Sequence, residues 1–70
     1  MADLAADVRA ARIAAGLSQD GLAILAGVSV RTVKRCEAGQ PIGLQTALAI
    51  LRVLFGDDRA VTALSPYVER

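Results

Sequence analysis

Three basic side chains, Arg31, Lys34 and Arg35, crowd the stretch "AGVSVRTVKRCEAG" (residues 26–39), with no acid before Glu37. At helical spacing these three fall on one side, together with Val30, while Val33 and Cys36 fall on the other. A face of this kind can hydrogen-bond a guanine edge, neutralise backbone phosphates, or set an apolar group against a thymine methyl. The residues for bond-making chemistry are missing. The chain has no histidine, one cysteine, no glycine-rich phosphate loop and no cluster of carboxylates beyond Asp57-Asp58, which reads as a helix start. An enzyme is therefore not expected, nor a metal site or a cofactor. A basic helix taken alone is most often a solvated surface, so its meaning depends on the elements that hold it.

Seventy residues make one small domain, 1–70, whose core supplies a net stability of roughly 3–5 kcal/mol at best. One cysteine rules out an internal disulfide. The composition is 54% apolar, rich in alanine and leucine, with a single Phe and a single Tyr. Such a chain favours helix and argues for an all-α fold. The net charge of +1 carries no message about nucleic acid, so the local distribution has to. "LAILAGVSV" (22–30) is the longest uncharged apolar run and is too short to span a bilayer. With no targeting segment visible and one free thiol, the expected compartment is the cytoplasm.

Capping residues and glycines divide the chain into five helices. The first runs from Asp3 to Ala15, with Leu4, Val8, Ala11, Arg12 and Ala15 on one face and Gly16 as its C-terminal stop. Ser18 caps the second, Gln19 to Ala26, and Asp20 lies in its first turn. Ser29 caps the third, Val30 to Glu37, and Gly39 ends it. The fourth, Leu44 to Phe55, is apolar on nearly every side. A short fifth helix, about 58–65, is capped by Asp57 or Asp58, with Tyr67 and Val68 tucking back onto the body.

Only Gly27, Val28 and Ser29 join helices two and three, which predicts a steep helix-turn-helix over about 18–38. Each position meets a physical demand. Ala23 is small enough for the helices to cross closely, Gly27 can take the positive φ of the turn, and Val28 and Val33 plug the corner. Arg12 interrupts an apolar face and Glu37 interrupts the basic run. Because a buried charge needs a partner, the two are expected to pair.

On these residues the chain resembles the lambda-repressor-like, xenobiotic-response-element-type helix-turn-helix domains of phage repressors and bacterial regulators. The matching features are Arg12…Gly16-Leu17-Ser18-Gln19, Leu22-Ala23, Ala26-Gly27-Val28-Ser29, Val33, Glu37-x-Gly39 and Pro41…Leu44-x-Thr46. The resemblance covers roughly residues 4 to 56. It implies a compact five-helix domain that binds double-stranded DNA and regulates transcription. It implies a phosphate contact for Gln19, DNA-facing roles for Ser29, Val30, Arg31, Lys34 and Arg35, and a partly buried Arg12–Glu37 ion pair.

The chain departs from the family at Gly21, where a capping-box Glu is usual, so the second helix should start weakly. Ile24 and Leu25 stand at usually polar positions, and Cys36 fills a core slot usually held by a larger side chain. With Leu44, Leu48, Leu51 and Leu54 assigned to the core, Ile50, Val53 and Phe55 are left over and predict a two-fold homodimer reading a palindromic operator, most simply as a repressor. The competing reading is a protein-interaction module that reuses the fold through Ile24, Leu25 and the helix-four surface.

Overall fold

Short polar residues set where the first three helices of the computed structural model begin, and the structure describes residues 3–67. Asp3 precedes α1 (Leu4–Ala14), its Oδ1 accepting the Ala6 amide. Ser18 precedes α2 (Gln19–Ala26), its Oγ accepting the Gly21 amide at 2.9 Å. Ser29 precedes α3 (Val30–Glu37), its Oγ accepting the Thr32 amide at 3.1 Å. Each cap satisfies a donor that the first helical turn leaves without an intrahelical partner. Then come α4 (Leu44–Phe55) and α5 (Asp57–Leu64), followed by a 3-10 turn, Ser65–Tyr67. The described residues contain no strand, so the fold is all-helical.

The turn between α2 and α3 is a left-handed helix end. Gly27 has φ +73, its amide reaches the Ile24 carbonyl, and the Val28 amide reaches the Ala23 carbonyl. This is the Schellman arrangement, and it reverses the chain within three residues. The same pair of bonds closes α1 and α3, where Leu17 reaches Arg12 and Gln40 reaches Arg35. With both ends of α2 and α3 fixed in this way, the two helices cross tightly and neither can extend.

The core collects one or more residues from every helix. Val8, Leu22, Val33, Ile50 and Leu51 are its largest fully buried side chains, and Ala23, Cys36, Ala47, Ala60 and Leu64 complete it. Helix α4 touches α1 and α2 on one side, and α5 packs against it. Alanines at 23, 47 and 60 let the helices approach closely. A chain with almost no aromatic residues can thus still close its core.

Three expectations are corrected here. Ile50 is 0% exposed, so it belongs to the core and not to a subunit contact, while Leu44 is 59% exposed. The helical repeat explains this: Ala47, Ile50, Leu51 and Leu54 share one face of α4, and Leu44 lies in the first turn near the loop. Val30 is half-buried and packs against the core, so it is not wholly on the outer face. Helix α5 begins at Asp57, and Gly56 precedes it with no side-chain cap; Asp57 and Asp58 lie within its first turn, where the helix dipole favours carboxylates. Ser18 caps α2 through the Gly21 amide, and residue 21 has no side chain to complete a capping box. Tyr67 does return to the body, donating its hydroxyl to Asp7 of α1, whereas Val68 lies outside the described residues.

The placement of Ile50 predicts a contrast within one helix. Ile50→Ala should cost about 2–5 kcal/mol. Phe55→Ala, at a position 39% exposed, should cost much less. Urea denaturation of both variants measures the difference, and equal losses would contradict the assignment of Ile50 to the core.

Candidate nucleic-acid interface

Helices α1, α2 and α3 meet at one polar knot. Arg12, near the end of α1, donates Nε to Glu37 Oε2 at 2.6 Å and Nη2 to Glu37 Oε1 at 3.1 Å. Its remaining Nη1 reaches the Leu17 carbonyl at 2.8 Å, inside the α1–α2 turn. Gln19, the first residue of α2, donates Nε2 to Glu37 Oε1 at 3.1 Å. The two charged side chains are only 12% and 6% exposed, and the fork-to-carboxylate geometry is the strong, directional kind. One carboxylate at the end of α3 therefore fixes the end of α1 and the start of α2.

Burial alone would push the Glu37 carboxyl up. Hydrogen bonds from Arg12 and Gln19, with the nearby positive charges of Arg12 and Arg9, outweigh it and hold the group below the usual carboxylate range. Arg12 is moved the other way, mainly by its hydrogen bond to Glu37. Next to this knot Cys36 is buried against the core. Its thiol is pushed up by burial and then by the Glu37 charge, which makes it a poor nucleophile and a small core residue.

With Val33 and Cys36 turned inward, the other side of α3 presents Arg31, Lys34 and Arg35, all exposed. Among the described residues Arg31 and Lys34 have no hydrogen-bond or ion-pair partner. Arg31 sits in the first turn of α3, beside the Ser29 and Thr32 hydroxyls, which lie 2.9 Å apart. Arg35 is different, because its Nη2 donates to the Pro41 carbonyl at 3.2 Å. It borders a cavity of about 370 Å³ with Thr32, Gly43 and Thr46, next to an α4 start that has no side-chain cap.

Arg31, Lys34, Arg35 and Ser29 thus lie together at the surface of one helix and its cap, and Val30 lies at the edge of that surface, half in the core. Gln19 stands apart from them, its amide nitrogen engaged by Glu37. The cluster of Thr32 and Thr46 around Arg35 escaped the reading of the sequence. The only signal for it was the start of α4 at Gly43, which offers its free amides no side-chain acceptor. The described residues include no group of His, Cys, Asp and Glu able to hold a metal ion, and no helix long and apolar enough to cross a membrane.

A family model described as a helix-turn-helix domain matches residues 3–64. No curated protein and no solved structure matches the chain.

The depressed carboxyl of Glu37 sets the sign of a pH effect. In the unfolded chain this group takes up its proton near pH ~4.3. In the folded chain it does so only at lower pH. Its contribution to stability is therefore complete above the unfolded value and is lost as the pH falls through the folded value. Denaturation midpoints should drop over that acid window, and Glu37→Gln should flatten the drop. Removing either Arg12 or Glu37 alone should cost about 3 kcal/mol, with strong non-additivity in the Arg12→Met/Glu37→Leu cycle. Additive losses would show that the pair contributes nothing jointly.

Proposed function

We propose, from the premise that this chain belongs to the helix-turn-helix domain family, that it is a sequence-specific DNA-binding transcriptional regulator. It acts as a repressor by occupying its operator. The observation that carries this reading is the two-sided third helix. Its inner side is locked by Val33, Cys36 and the Glu37 knot, and its outer side offers Arg31, Lys34 and Arg35 to a groove. A helix held on one side and cationic on the other suits the major groove, with residues near its start closest to base edges.

The three cations divide the work. Arg31, near the start of α3 and without a partner among the described residues, reads a base. Lys34 follows one turn later on the same face. Arg35, leaning on the Pro41 carbonyl beside Thr32 and Thr46, meets a backbone phosphate. Ser29 and Val30 flank the reading surface. Gln19 contributes through its amide oxygen or main chain, since its nitrogen serves Glu37.

The regulator works as a homodimer on a palindromic site. With Ile50 in the core, the exposed apolar side chains left for a second copy at the α4–α5 end are Phe55 and Val61, which is 69% exposed, while Val53 is half-buried against the core. A two-fold contact there would set two reading helices about one helical turn, ~34 Å, apart. Such a protein acts in the cytoplasm, at the nucleoid. Exposed Ile24 and Leu25 on α2 favour a second reading, in which the domain docks on a protein and not on DNA.

Fluorescence anisotropy on sites selected from a random library separates these readings. Arg31→Ala should cost about 1–3 kcal/mol and relax preference at one base pair, while Arg35→Ala should weaken all sequences alike and lower the salt slope by about 1. Unchanged binding after replacing all three cations, with Ile24→Ser abolishing capture of a protein partner, would establish the second reading instead. Phe55→Glu should yield a folded monomer in sedimentation with sharply reduced affinity for the full operator. A dimer unaffected by that change would move the contact elsewhere.

A further inference from the structure

The corner between α4 and α5 is a single residue. Helix α4 ends at Phe55, α5 begins at Asp57, and Gly56 alone turns the chain, with φ +93 and ψ 156. That backbone region is open to glycine and nearly closed to every other residue. Helical hydrogen bonds run up to Gly56 from both sides. Its amide donates to the Arg52 carbonyl at 2.9 Å, and its carbonyl accepts the Arg59 amide at 3.2 Å. Rotation about two bonds of this one residue joins α4 and α5 into a continuous helix, Leu44 to Leu64, about 30 Å long. The corner leaves the last carbonyls of α4 and the first amides of α5 without intrahelical partners, and no side chain caps α5. In the continuous helix these groups bond each other. What holds α5 on its own body is chiefly Ala60 and Leu64 in the core, and the Tyr67 hydroxyl on Asp7 just beyond its end. Phe55 and Val61 stand exposed on either side of the corner.

We propose that α5 is an exchangeable arm: in the homodimer each copy seats its α5, with the turn that follows, on the body of the other. Helices α4 and α5 then run straight through residue 56. The two long helices pass each other there, and Phe55 and Val61 of both copies are covered at the new junction. The occupant of the seat is a second copy of this chain, because α5 is the helix already matched to it: Ala60, Leu64 and the Tyr67–Asp7 bond are all re-formed between copies. Exchange leaves the core of each body unchanged. Its balance against the monomer is therefore set by the corner, the new junction and the freedom lost on association. The proposal rests on the homodimer reading and is independent of DNA binding.

Isotope-filtered NOEs test the exchange directly. Uniformly ¹³C-labelled and unlabelled chains are unfolded together and refolded, and NOEs in the mixed dimer should link Ala60 and Leu64 of one copy to α4 of the other. Gly56→Ala shifts the balance from both sides. Alanine is strained at φ +93, where its Cβ also comes within 3.3 Å of Asp58 Oδ1, and it favours an unbroken helix more than glycine does. In sedimentation this variant should dimerise at a concentration at least about tenfold lower, with its helical circular dichroism retained. A Gly-Ser-Gly insertion after Gly56 relaxes the corner and should return the chain to a monomer. A parent dimer whose α4–α5 NOEs arise only within one chain would overturn the exchange and leave the homodimer standing on an unexchanged contact. A parent that stays monomeric at every accessible concentration would overturn both. A Gly56→Ala variant that remains a folded monomer, or an insertion variant that dimerises as readily as the parent, would also overturn the exchange.

Discussion

Glu37 is the constraint on which the arrangement rests. Helices α2 and α3 have eight residues each, too few to persist as isolated helices in water. Their angle therefore has to be imposed from outside, and one carboxylate imposes it by accepting from Arg12 and Gln19 together. Arg12 extends the constraint to the Leu17 carbonyl, so the α1–α2 turn is tied to the end of α3. The described residues leave no buried side-chain polar atom without a partner, which is the condition under which such a knot stabilises and does not strain.

The apolar core does the complementary part. Leu22 of α2, Val33 of α3 and Ile50 and Leu51 of α4 bury one continuous mass, and Val8 brings α1 onto it. Helix α3 therefore faces hydrocarbon through Val33 and Cys36, ionic hydrogen bonds at Glu37 and water through its cations. Hydrophobic burial fixes its depth, the knot fixes its direction, and the Ser29 cap fixes where it begins.

Much of this could be read in the sequence because it depends on local chemistry. Ser18, Ser29 and Gly27 act through neighbours three or four residues away, so spacing alone predicts their work. Arg12 and Glu37 are far apart in sequence, yet each breaks a pattern that burial would otherwise enforce, and they are found 2.6 Å apart. What spacing could not resolve was an all-round apolar helix. In α4 several stripes were equally apolar, and only the positions of α1, α2 and α5 chose Ile50 over Leu44. The Arg35 contact with Pro41 and the Tyr67 contact with Asp7 likewise depend on where a loop and the chain end come to lie. Gln19 illustrates a third kind of limit, since a long polar side chain can turn toward a neighbour or toward solvent with no change in the pattern.

Arg31 and Lys34 hold nothing else together among the described residues, while Val33, Cys36 and Glu37, interleaved with them on the same two turns, hold a great deal. Changes at the first pair leave folding nearly untouched, and changes at the second set endanger it whatever they do to recognition. If the proposed DNA-reading role of this face holds, descendants of such a chain can acquire a new target by drift at two exposed codons, without passing through an unfolded intermediate. Arg35 is the exception, for its tether to Pro41 makes any replacement a change to the loop as well. Divergence within a lineage should therefore run fastest at positions 31 and 34, slower at 35, and slowest at the inward residues between them.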